Sequence, residues 1–110
     1  MANTFKNAYL DVTSSAQTIY TAPASTTSIV LTLRVSNVDG AADDTITAEV
    51  LNSGGTPAAK IAHTLSVPAD TTIELAGTSK LVLETGDYIQ LTGGAASGDL
   101  EAFASILEIS

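Results

Sequence analysis

The chain contains no cysteine, no tryptophan and a single histidine, and only four of its 110 residues are basic. Without cysteine, disulfide staples, thiolate metal centres and cysteine nucleophiles are all excluded. One histidine, His63, cannot build a zinc site once thiolates are missing. The cations Lys6, Arg34, Lys60 and Lys80 are scattered against twelve carboxylates, for a formal net charge of −8. Such a chain repels a phosphate backbone, so nucleic acid is not an expected partner. No apolar run approaches the roughly 20 residues of a membrane-crossing helix, so no membrane partner is expected. The opening residues Met1 to Lys6 lack the basic start and apolar core of a secretory signal, which leads us to expect a soluble product made in a cytoplasm.

What is present points to a folded β domain. Hydrophobic residues make up 45% of the chain and charged residues 15%, a balance that argues against disorder. The length suits one core and not two. Period-two alternation in Thr-, Val- and Ile-rich runs, each ended by Gly, Pro, Asn or Asp, is the dominant signal. Over residues 28–37 it places Ile29, Leu31, Leu33 and Val35 toward a core and Val30, Thr32, Arg34 and Ser36 away from it. Over residues 45–51, Ile46, Ala48 and Val50 alternate with Thr45, Thr47 and Glu49. From residue 59, Ile61, His63, Leu65 and Val67 share one side, until Pro68 ends the run. Shorter strands are expected over 71–75, 80–84 and 87–91, with turns at Ala76-Gly77 and Thr85-Gly86. The last run, 100–109, is apolar on both faces, as a central or interface strand would be, and follows a loop-forming glycine-rich stretch over 93–98.

These eight or nine short strands without a helix imply an all-β antiparallel sandwich, of jelly-roll or Ig-like connectivity, with a small barrel as second choice. We divide the chain into residues 1–12, an N-terminal strand or an arm reaching a neighbour, and a single sandwich domain over 13–110. Few lysines guard the strand edges, which leaves them open to pairing within an assembly.

Catalytic chemistry finds little support. His63 stands among apolar strand residues, no Gly-x-Ser-x-Gly elbow occurs, and Ser14-Ser15 sits in a polar turn, so we expect no enzyme and no cofactor. Asp39, Asp43 and Asp44 place three carboxylates in one loop, where calcium is one reading and a solvated turn the other. The glycine-rich stretch lacks the lysine of a P-loop. Of the few aromatics, Phe5, Tyr9 and Phe103 are the candidate partner contacts.

A resemblance adds a more specific expectation. The segment Tyr20-Thr21-Ala22-Pro23-Ala24, the strand ending in Val35-Ser36-Asn37, Val67-Pro68-Ala69-Asp70, the run from Lys80 through Thr85-Gly86-Asp87-Tyr88-Ile89, and the ending Ile106-Leu107-Glu108-Ile109 resemble small β-sandwich virion proteins of tailed bacteriophages. The likeness spans residues 17–109 and rests on turn and strand chemistry, so it carries over no functional residue. It implies a virion structural protein made in the host cytoplasm, either a capsid decoration or cement protein or a tail, collar or fibre module. The implied partners are the major capsid protein or other virion proteins, together with further copies of itself, a trimer being one candidate order.

Overall fold

The computed structural model describes residues 2–76, 80–94 and 99–110. Among them the chain forms nine strands: β1 (Asn3–Val12), β2 (Gln17–Thr21), β3 (Thr27–Asn37), β4 (Asp44–Leu51), β5 (Pro57–Val67), β6 (Thr72–Glu74), β7 (Leu81–Leu83), β8 (Tyr88–Gly93) and β9 (Leu100–Ile109). Their pairing is nested and antiparallel throughout. β1 pairs with β9, β2 with β8, β3 with both β6 and β7, and β4 with β5. The nested strip is then rolled so that β9 also lies on β3 and β8 on β4. Two sheets result, β1-β9-β3-β6 with β7 also on β3, and β2-β8-β4-β5. This is jelly-roll connectivity, and the Ig-like alternative is set aside.

The two sheets share one core. Val12, Val30, Leu33, Val35, Leu100, Ala102, Ala104 and Ile106 come from the first sheet and Ile19, Ile46, Ala48, Ile89 and Leu91 from the second. On β9 the even positions are buried and the odd ones half-buried or exposed, as strict alternation requires.

β3 departs from the expected alternation. Its register with β9 shifts between Val30 and Thr32, so Leu31 is an extra residue. A bulge of one residue reverses the side on which every following side chain falls. Val30 is therefore buried with Leu33 and Val35, whereas Ile29 and Leu31, expected in the core, are only half-buried. On its other side β3 is paired by β7 over residues 28–30 and by β6 over residues 34–36. In between, Glu74 supplies the missing acceptor. Its carboxylate takes the Leu33 N–H at 2.8 Å and the Ala76 N–H at 3.2 Å, and also bonds Thr32 Oγ1 and Arg34 Nε.

β5 also departs from expectation. Its register with β4 shifts three times and Thr64 has a φ of 45°. The expected face of Ile61, His63, Leu65 and Val67 is therefore broken, leaving Val67 buried and His63 and Leu65 exposed. At the turn before β8, Gly86 has a φ of 86°, and a Cβ there would lie 2.5 Å from Ser53 Cβ, so glycine is required on two counts. Of the loop expected over 93–98, Gly93 ends β8 and residues 95–98 lie outside the described residues, as does Gly77 of the Ala76-Gly77 turn.

Burial pushes the Glu74 carboxyl up, but the hydrogen bonds from Thr32, the Leu33 and Ala76 amides and Arg34 outweigh it and hold the group below its ordinary value of 4.5. The stability it contributes is therefore complete above that value and lost as pH falls through its lower folded one. Urea midpoints of Glu74→Gln should show a weaker acid-side decline than the wild-type chain. Glu74→Ala, which strands the buried Leu33 N–H, should cost about 1–2 kcal/mol at neutral pH.

Candidate interaction surface

The outward face of the β1-β9-β3 sheet carries two rows of side chains that the register lines up. Phe5 is opposite Leu107, Leu107 opposite Ile29, and Ile29 opposite Val82. The first row is thus wholly apolar across four strands. Phe5 is 74% and Val82 62% exposed. The second row runs from Tyr9 to Phe103, Arg34 and Glu74. Tyr9, 71% exposed, tilts its ring at 44° to that of Phe103 with centroids 5.3 Å apart. Four residues separate the rows along β1, about 13 Å, with Asn7, Ser105 and Thr32 between them.

All three candidate contact residues therefore lie on one face. Tyr9 and Phe103 touch, while Phe5 joins Leu107 in the other row. Sequence reasoning missed Ile29 and Val82. Ile29 was expected in the core because the bulge at Leu31 leaves no mark in the residue pattern, and a three-residue β7 is too short to show which side Val82 takes.

A polar cluster backs the first row from inside. The first half of β1 is exposed on both faces, and the inner side behind Phe5 and Leu107 carries Lys6 and Glu108 beside the core residue Ile106. Glu108, only 8% exposed, accepts the Tyr20 hydroxyl proton at 2.5 Å through Oε2 and pairs with Lys6 Nζ at 3.3 Å through Oε1. Ser28 Oγ lies 2.8 Å from the same phenolic oxygen. Since Tyr20 belongs to β2, these bonds tie the two sheets together beneath the exposed row. Burial, followed by the bond to Glu108, pushes the Tyr20 phenol up to about 12.

Beside Tyr9 a shallow depression of about 310 Å³ is lined by Tyr9, Asp11, Ser36, Glu101 and Phe103 with Leu10 and Ala102. Asp11 and Glu101 are directly opposite one another, an unfavourable pairing of like charges that a cation or hydrogen-bond donor would relieve.

The carboxylates of the 38–44 loop turn to separate backbone donors. Asp39 Oδ1 accepts from Ala41 and Ala42, Asp43 Oδ1 from Ala69, and Asp44 Oδ1 from Thr45 and Gly94. Asn37 completes the loop by donating to the Ala42 and Val67 carbonyls. Among the described residues no three His, Asp or Glu side chains are grouped to hold a metal ion. His63 lies on β5 and Ser14-Ser15 in the bend before β2, at opposite edges of the second sheet, so they form no dyad.

No family model matches the chain, and no curated protein matches it in sequence. Solved structures share its fold. A chain of the Bacillus endospore appendages, described as a novel family of disulfide-linked pili, matches with a TM-score of 0.59 at 12% identity, over 99% of this chain and 87% of that one. A chain of infectious bursal disease virus, Gx strain, matches with a TM-score of 0.53 at 14% identity, over 97% of this chain and 31% of that one. Neither is a tailed-phage protein, and at these identities the likeness is one of fold.

Tyr20 titrates at about 12 in the folded chain against an ordinary 10.0, so the stability it supplies is intact below pH 10 and declines as pH climbs toward 12. Tyr20→Phe should lose that alkaline limb in thermal melts. At neutral pH it should cost about 1–3 kcal/mol, because Glu108 loses a charge-assisted bond in a buried position.

Proposed function

We propose that the chain is a non-enzymatic structural subunit of a virion, of the tailed-phage kind its sequence resembles, acting as a capsid decoration or cement protein. The observation that carries this reading is the apolar row Phe5, Leu107, Ile29 and Val82 with the adjoining Tyr9-Phe103 pair. Together these side chains expose on the order of 500 Å² of mostly apolar surface, the size of a functional patch on a soluble domain. The face is flat and open, which suits another protein surface better than a small substrate. Each contact is modest, and a shell gains strength when many copies engage together. The fold likeness to a pilus protein and to a virus protein supports an assembly role. Disulfide linkage of the kind named for the Bacillus pili is closed to a chain without cysteine.

A second reading, a tail, collar or fibre module that binds a host-surface glycan, draws on the depression where Tyr9 and Phe103 adjoin Asp11, Glu101 and Ser36. Stacking rings beside hydrogen-bonding carboxylates is chemistry that suits a sugar.

Quantitative mass spectrometry of purified particles separates the two, with hundreds of copies expected for the capsid role and roughly three to twelve, following tail symmetry, for the other. In rebinding to particles stripped of the protein, Val82→Asp should lower occupancy at least about tenfold, the equivalent of one lost apolar anchor. Its exposed position should leave the melting temperature nearly unchanged. Undiminished occupancy would remove the apolar face from the docking reaction. Asp11→Asn with Glu101→Gln should matter only if the depression takes a ligand.

A further inference from the structure

The four sheet edges are not equally protected. β2 is short, bulged between Thr18 and Tyr20, and followed shortly by Pro23. β5 begins at Pro57, shifts register three times against β4 and contains a positive φ at Thr64. The edge on β3 is split into two three-residue strands, with the Glu74 carboxylate capping the gap. These are the devices that keep an edge from pairing with another chain. β1 has none of them. It runs ten residues in unbroken register with β9, contains no proline, and no hydrogen bond among the described residues reaches its outer side. Its one lysine, Lys6, is half-exposed and pairs with Glu108 of the neighbouring β9, and is the single edge lysine of the kind that discourages pairing. About half of its amides and carbonyls therefore face solvent along a straight strand.

The side chains of this edge say what pairs with it. On the outward face β1 reads Asn3, Phe5, Asn7, Tyr9, Asp11, which is polar, aromatic, amide, aromatic, polar. That order is the same in both directions about Asn7, and an antiparallel strand presents it in reverse.

We infer that β1 pairs with β1 of a second copy of this chain across a two-fold axis at Asn7, joining the two sheets into one. In that register Asn7 faces its own counterpart, Phe5 faces Tyr9 of the other copy, and Asn3 faces Asp11. No like charges are opposed on either face. The interface is isologous, so it closes at two copies and leaves no free β1 edge. Each first row continues into the other copy's Tyr9-Phe103 row, so the apolar face becomes continuous across the axis. The inference shares β1 with the docking face of the preceding subsection but stands on the edge and its register, and its test is independent of any particle.

A chain without cysteine allows an unambiguous register test. Directly opposed residues of antiparallel strands have Cα atoms about 4.5–5.5 Å apart, inside the disulfide range. Under mild oxidation, Asn7→Cys should form a covalent dimer of twice the 11.2 kDa chain mass, while Val82→Cys, on the same face but away from the edge, should not. Asn3→Cys and Asp11→Cys should each remain single alone and cross-link when mixed. Asn7→Lys and Asn7→Glu should each weaken the dimer in sedimentation equilibrium, and an equimolar mixture should restore it as a heterodimer. Because both copies carry −8, association of the wild-type chain should strengthen with salt. The inference is overturned by a wild-type chain that sediments at its monomer mass up to millimolar concentration, or by Asn7→Cys cross-linking no faster than Val82→Cys. Either result leaves the docking face intact, which Val82→Asp tests by itself.

Discussion

The fold depends on the backbone ladder of β9. This last strand pairs with β1 over ten residues on one side and with β3 on the other, so β1 joins the first sheet only once the two ends of the chain have met. Closing the outermost hairpin of the nested strip means closing a loop nearly as long as the chain, and the entropy of that closure precedes its reward. The reward is large because β9 is central. Its even residues Leu100, Ala102, Ala104 and Ile106 are core, and its odd residues Phe103 and Leu107 lie midway in the two outward rows. Core and surface are thus aligned by one set of hydrogen bonds, and a slip of one residue would exchange them.

The bulge at Leu31 shows how local backbone geometry shapes the surface. With regular alternation, Ile29 would share the core side with Leu33 and Val35, and the first row would be interrupted between Leu107 and Val82. The extra residue lets Val30 fill the core and Ile29 complete the row. The unbroken row across four strands is therefore a consequence of one inserted residue. On the opposite side of β3, in the gap between β7 and β6, the Leu33 amide has no strand partner, and Glu74 supplies an acceptor from β6.

The division between what the residues announce and what they conceal follows from the range of the interactions. Strand existence was legible because it rests on local alternation and turn residues, as at Gly86, where a positive φ is needed whatever the partner strand. The double apolar character of β9 marked it for a central place. Facing was legible in β4, where Ile46 and Ala48 alternate inward. It was lost in β3 and β5, because bulges are fixed by the partner strand and not by the bulged residue. The contact candidates Phe5, Tyr9 and Phe103 stood out only as large apolar residues. Their common face, and the inclusion of Ile29 and Val82, needed the pairing register. The Tyr20-Glu108 bond joins residues 88 apart in sequence, and neither residue alone signals it.

An acidic chain that exposes an apolar face meets two opposed demands. Charge of one sign keeps separate copies apart in solution, while the face favours association as soon as a surface of the right shape is near. The charges are placed so that both can operate. Asp11 and Glu101 lie at one end of the face, Arg34 is bound to Glu74, and the first row contains no charge at all. Desolvating that row therefore costs little electrostatic free energy, even though the molecule as a whole is repelled by its own kind. In the proposed pairing along β1, backbone bonds, which salt does not screen, would hold the two copies against that repulsion. A dimer formed this way presents two faces in fixed relation. Once the first has docked, the second binds from a local concentration set by the rigid sheet and not by the bulk, so a face too weak to hold alone becomes sufficient in pairs.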